Sequence, residues 1–332
     1  MIYLSRLKVI LIGLALVSMV FGASNAFAAD PHMLLRVDVT DLVSSRMAAA
    51  RDEIRTLLRD AQPRTGYSGL AASDRAVQVR IDDVNQVEAA KAVLKVLTDP
   101  VAGMQQMALD ESESGLLKFT MTDAGVKSRT SAALKQSIEV IKNRLHDLGM
   151  ADAAVQQADD DEILVQAPSA GDLQGLGQIL VRPGRLSLQL VNTSMPVEDA
   201  IKSGPPPGTK VVYTSDDPPV PYLVEDRVIV AGKSVVDAKA TNSPEIGEPV
   251  VVFLLDSRGT ERFKWATERN IGKPFAVILD DKVISAPIIR EPIKGNTGQI
   301  SGNFTDHDAK TIALLMRTGA LPARLTIVEE AR

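Results

Sequence analysis

The 332 residues contain no cysteine, so neither a disulfide framework nor thiol chemistry is available in any compartment, and stability has to come from packing. Histidine is nearly as scarce. His32, His146 and His307 are scattered, the last two on expected helices amid charged neighbours, where a solvated surface role outweighs that of a base or ligand. No catalytic triad emerges. Ser285, before Ala286-Pro287, lacks the flanking glycines of a nucleophile elbow. Gly295, Gly298 and Gly302 are followed by no Lys-Ser or Lys-Thr that would close a phosphate loop, so strand turns or bulges explain them better. The pairs Asp280-Asp281 and Asp306 with Asp308 fit a turn between strands and a helix cap better than a metal site. The expectation is a protein that is not an enzyme and has no metal and no cofactor.

Positive charge is also in short supply. Without residues 1–28, which carry Arg6 and Lys8 and no acid, 35 basic residues face 42 acidic ones, a net charge of −7. That balance argues against nucleic acid as a partner and against electrostatic docking on anionic lipid. After the N-terminus no apolar run reaches membrane length. What is there suffices for real cores: 45% hydrophobic and 24% charged residues predict a globular chain of two or three domains.

The N-terminus reads as an export signal over residues 1–28. Arg6 and Lys8 precede an apolar run from Val9 to Gly22, and Ala26-Phe27-Ala28 offers small residues for cleavage before Ala29. The run is 14 residues by count, short of the roughly 20 of a spanning helix. Extended through Phe27 it reads instead as an uncleaved anchor. The expected localisation is therefore the periplasm, either free or anchored in the inner membrane with the bulk in the periplasm.

An internal repeat follows. LLRVDVTD at 34–41 and LLKFTMTD at 116–123 align without a gap, and each reads as an alternating strand leading into an amphipathic helix. Strands at 76–81 and 162–168, each the second arm of a hairpin (Ala154 to Ala158 before the Asp159-Asp160-Asp161 turn in the second copy, a weaker one at TGYSGLAASDR in the first), helices near 84–97 and 171–180, and closing strands near 104–110 and 185–191 complete two βαββαβ units, one at 30–112 and one at 113–192. The fold class expected is α+β, a duplicated ferredoxin-like base followed by a smaller α+β head. Residues 193–221 are rich in proline, including Pro205-Pro206-Pro207, and read as a linker. Residues 222–330 read as the head. Near its end, Thr305 with Asp308 forms a capping box, Ala309, Ile312, Ala313 and Met316 repeat at helical spacing, and Gly319 and Pro322 stop the helix. GQISGNF and ARLTIV flank this helix as short strands, which together make a compact strand, helix, strand module.

The stretches IEVIKNRLHDLG at 138–149, NIGKPFAVILDDKVISAPII at 270–289 and GQISGNFTDHDAKTIALLMRTGALPARLTIVEE at 298–330 resemble the SecD family of accessory subunits of the bacterial protein translocase. The likeness runs from Met33 to Glu330 and is strongest after Asp237. It implies a base at 30–191 joined by the last strand, and a mobile head at roughly 220–320. Hinge candidates on this reading are Val191 and Asn192 on the way out, and Leu321, Pro322 and Ala323 on the way back. The family's glycine-rich L-D-L-Q-G-G motif is missing before Leu34, and the later membrane helices tied to proton flow have no counterpart up to Arg332. The resemblance implies assistance to protein translocation by binding emerging unfolded polypeptide, without proton coupling of its own. SecD, SecF and SecYEG are the implied neighbours. A scaffold that docks on that translocase without handling substrate is the alternative.

Overall fold

Local chemistry sets the ends of most elements. The computed structural model describes residues 31–331 apart from 114 and 246, so the cleavage-site residues Ala26, Ala28 and Ala29 lie outside the described residues. In chain order the elements are β1 (His32–Val37), α1 (Val39–Asp60), β2 (Tyr67–Ser73), β3 (Ala76–Ile81), α2 (Val87–Leu94), β4 (Met107–Glu113), β5 (Leu116–Met121), α3 (Asp123–Asp147), β6 (Ala154–Gln157), β7 (Glu162–Gln166), α4 (Leu173–Leu180) and β8 (Leu186–Val191). Then come α5 (Val197–Ser203), β9 (Thr209–Thr214), β10 (Pro221–Ala231), β11 (Val235–Asn242), β12 (Pro249–Leu255), α6 (Ser257–Arg269), β13 (Phe275–Leu279), β14 (Lys282–Ser285), β15 (Thr297–Ile300), α7 (Asp306–Thr318) and β16 (Leu325–Ala331). No helix among the described residues is long and apolar enough to cross a membrane.

The chain forms two compact units. The first takes the residues up to 138, 150–177 and those from 325 onward; the second takes 139–149 and 178–324. The chain therefore passes between units at 138/139, 149/150, 177/178 and 324/325. None of these junctions falls at Val191-Asn192 or Leu321-Pro322-Ala323, which all lie inside the second unit. Val191 pairs with Val224 in a strand ladder, and the Asn192 amide donates to the Leu223 carbonyl at 2.7 Å. Leu321 and Ala323 are buried, and the Leu321 amide donates to Pro183 at 2.8 Å.

In the first unit, α1 buries Val43, Met47, Ala50, Ile54 and Leu58, one stripe at helical spacing, beneath an Asp38 N-cap that accepts the Asp41 amide at 2.9 Å. This stripe packs with Val77 and Val79 of β3, Leu94 of α2 and Phe119 of β5. The two sheets run β2-β3-β5-β4 and β16-β1-β7-β6, with every neighbouring pair antiparallel. Each order is that of a split βαβ unit, yet neither sheet is built from one repeat. β5, which opens the second repeat, sits between β3 and β4, while β1 sits between β7 and β16. The copies expected at 30–112 and 113–192 thus exchange their opening strands. LLRVDV and LLKFTM carry the same alternation, so both satisfy either sheet, and the hydrophobic pattern leaves the choice of sheet open.

The closing strand expected at 185–191 is likewise reassigned. β8 joins the second unit, and β16 takes the place beside β1. There β10-β8-β13-β14-β9 close into a small barrel, accompanied by a sheet β11-β12-β15. Leu186, Leu188 and Leu190 face a core shared with α6 and α7, while Val191 joins Val212, Val224, Ala276 and Ile278 on the opposite side. Two-residue alternation makes β8 serve both cores. The expected linker at 193–221 holds α5 and the barrel strand β9, with Ala200 and Val212 buried. Its prolines fall where no ladder donor is needed: 205–207 precede β9, and Pro221 is the first residue of β10. The module expected at the chain's end is also split, since β15 pairs with β12 and β16 with β1.

The capping box on α7 is present. Thr305 Oγ1 accepts the Asp308 amide at 3.1 Å and the Asp308 carboxylate accepts the Thr305 amide at 3.0 Å. The Thr305 hydroxyl, which donates to the Asp308 carboxylate at 2.7 Å, and the Thr305 amide together hold that carboxyl below the usual carboxylate range. At the other end Gly319 has φ 80° and ψ 177°. Its φ is positive as expected, but its ψ is extended instead of left-handed helical, a combination essentially restricted to glycine.

That twist has a partner. Arg144, near the end of α3, is fully buried, and its guanidinium donates to the carbonyls of Ile179 (3.1 Å), Leu180 (2.9 Å), Arg182 (2.6 Å), Pro183 (3.5 Å) and Gly319 (3.2 Å). It closes the carboxyl ends of both α4 and α7, where helix dipoles favour a cation. Burial lowers its pKa to about 10 and Asp280 opposes that shift, so it stays charged at neutral pH. Gly184, at φ 73°, leaves the space: a Cβ there would lie 3.0 Å from Arg144 Nη2. Arg144→Met is expected to lower stability by on the order of 3 kcal/mol in denaturant unfolding, because several buried carbonyls lose their donor; Lys should recover only part of it. Gly319→Ala is expected to cost about 1–3 kcal/mol through backbone strain alone, and a melting temperature equal to the parent's would contradict this backbone assignment.

Candidate functional site

The chain has one tryptophan, and the second unit presents it to solvent. Asp256 caps α6 by accepting the Gly259 amide at 2.6 Å, and the helix turns Phe263, Ala266 and Thr267 inward. Phe263 meets Phe275 edge to face, ring centroids 5.5 Å apart. This anchoring leaves Trp265 on the outer face, 47% exposed. The Arg269 guanidinium, one turn on, lies 4.2 Å from the indole centroid, and that of Arg227 lies 5.4 Å away.

Arg227 reaches the ring because β10 bulges. Val224 pairs with Val191 and Val228 with Gln189, so four steps of β10 span two steps of β8. Between the bulge and α6 runs a groove of about 740 Å³, lined by Leu190, Val228, Trp265 and the charged residues Glu225, Arg227, Glu261, Arg262 and Arg269. Within the described residues none of these five charged side chains forms a hydrogen bond or ion pair. An exposed indole, apolar walls and unspent charge suit a flexible polar and apolar ligand better than a chemical step.

A smaller groove of about 430 Å³ beside α7 includes Asp147, Lys239, His307, Lys310 and Arg317. Its strongest cation is already engaged, since Arg317 meets Asp147 at 2.6 Å and the Ala238 carbonyl at 2.7 Å.

The residues weighed for chemistry stay apart. His32 lies in β1, His146 at the end of α3 and His307 at the start of α7. Ser285 Oγ donates to the Ser301 carbonyl at 2.6 Å. Asp280 and Asp281 have φ 52° and 63°, the signature of a two-residue I′ turn joining β13 to β14, and Asp280 Oδ1 accepts the Arg185 amide at 2.8 Å. Gly298 lies against the Phe253 ring, where a Cβ would approach to 2.3 Å. Among the described residues no group of three or more His, Cys, Asp or Glu is placed to hold a metal ion. Sequence reasoning singles out neither Trp265 nor Arg144. Trp265 does leave a signal, as a lone tryptophan off the Phe263/Ala266 stripe, whereas Arg144 in IKNRLHD has the pattern of an ordinary surface cation.

With the geometry in place, comparison with known proteins gives one answer. The family model for the SecDF P1 head subdomain matches residues 209–323, and that for the N-terminal part of the P1 domain of protein translocase subunit SecDF matches 134–193. Protein translocase subunit SecD of Acetobacter pasteurianus is 31% identical over 304 residues, which cover 90% of this chain and 56% of that protein. The SecD of Rickettsia bellii is 30% identical over 299 residues, with the same coverage. A solved structure of a membrane component SecDF that enhances protein export covers 60% of this chain and 92% of its own, at 23% identity and a TM-score of 0.46. The chain belongs to the SecD/SecDF family and carries its P1 domain. It spans just over half the length of the curated relatives it matches.

Proposed function

We propose that this chain assists protein export on the periplasmic side of the inner membrane, by holding unfolded polypeptide as it leaves the Sec translocase. The observation that carries this reading is the groove beside Trp265, where an exposed aromatic, an apolar floor and unpaired charges lie together. Unfolded chains offer both apolar side chains and polar backbone, and such a mixed surface holds them without demanding one sequence. The kinship with subunits named for protein translocation supplies the setting. SecYEG, SecD and SecF are the neighbours that this role calls for. The role assigned to the described residues is passive holding, since they include no membrane-crossing helix through which protons could drive movement.

The test compares binding of a denatured exported precursor to the parent chain and to Trp265→Ala. Removal of the aromatic anchor is expected to weaken binding about tenfold, with an unchanged melting temperature because the side chain is half exposed. Equal binding by the variant would move the site elsewhere, and no binding by the parent would favour a scaffold that docks on the translocase.

A further inference from the structure

The groove's charges say which segments of an unfolded chain it holds. Resting on the reading that the groove takes polypeptide, we infer that it selects a stretch in which an apolar side chain is followed, one or two residues on, by a single carboxylate.

Arg227 and Arg269 both lie against the indole, with guanidinium carbons 5.4 Å and 4.2 Å from its centroid. A stacked guanidinium spends its face on the ring and keeps its N–H edge for a carboxylate, which it grips with two parallel hydrogen bonds. Among the described residues neither side chain has an acidic partner, and the planar fork of a guanidinium is pre-organised, so less freedom is lost per hydrogen bond formed. The apolar seat is formed by Trp265, Leu190 and Val228. An extended chain advances roughly 3.3–3.6 Å per residue, so these arginines stand one or two residues from a side chain seated on the indole.

Glu225 and Glu261 set the limit. With Arg262 the groove holds three guanidiniums and two carboxylates, a net charge of +1. One acid beside the apolar residue gains a partner, whereas a run of acids meets the two glutamates. A lysine in the same place faces Arg227 and Arg269 and is repelled.

The sole tryptophan supplies the readout. Emission of Trp265 is followed at low salt while three short, tryptophan-free, unstructured peptides are added to the full chain. They share one leucine and differ in its neighbours: one glutamate, one lysine, or glutamates throughout. The single-glutamate peptide is expected to bind about fivefold tighter than the lysine peptide, as for one exposed charge contact, and the polyglutamate peptide no tighter than the single. Adding salt should narrow the gap. In the double variant Arg227→Gln and Arg269→Gln, both surface positions, the preference for the glutamate peptide over the lysine peptide should vanish. Equal affinity for the glutamate and lysine peptides would overturn the inference and leave polypeptide holding intact. A preference that survives in the double variant would overturn it too, since other groups would then read the charge. Silence from every peptide, together with no binding of a denatured precursor, would remove both.

Discussion

Taking the Arg144 cation out of water carries a desolvation penalty of several kcal/mol, and five backbone carbonyls offset it within the second unit. Those carbonyls come from the end of α4 with the turn after it and from the stop of α7, two places far apart in sequence. One planar fork with its donors fixed in direction satisfies them together, which a lysine's single ammonium does not. The conformations of Gly184 and Gly319 follow from it, the first by making room and the second by presenting its carbonyl.

The groove depends on that constraint through packing. α7, held at its stop by Arg144 and at its last turn by the Arg317–Asp147 pair, presents Ile312, Leu315 and Met316 to the largest core of the second unit. Phe263 and Ala266 of α6 enter the same core, and their burial faces Trp265 outward. β8 supplies Leu190 to the core and to the groove floor, while the bulge of β10 brings Arg227 to the ring. A mobile ligand thus meets a rigid wall, the condition under which weak contacts add to useful affinity.

Much of this was legible wherever a few neighbouring residues decide. The Thr305–Asp308 box, the Asp280-Asp281 turn and the helical stripe of α1 rest on short-range chemistry, and the sequence states them openly. Long-range choices were not legible. LLRVDV and LLKFTM fit either sheet, so no local pattern reveals the exchange of β1 and β5. The prolines of 193–221 suggested a linker, yet Pro221 opens a strand without interrupting its ladder. Arg144 reads as a surface cation because burial of a charge depends on carbonyls contributed 35 to 175 positions away. The groove was half visible, since a lone tryptophan on a polar helical face is a signal, whereas the bulge that supplies Arg227 is not.

The absence of cysteine makes the central claim directly measurable. Val228→Cys places the only thiol of the chain at the groove, in an exposed position. A thiol-linked photoreactive probe at that site, activated in cells while a precursor is being exported, reports what occupies the groove. The account predicts adducts to the exporting precursor, reduced when Trp265 is changed to alanine. Adducts to translocase subunits alone, or adducts to precursor that are indifferent to Trp265, would contradict it.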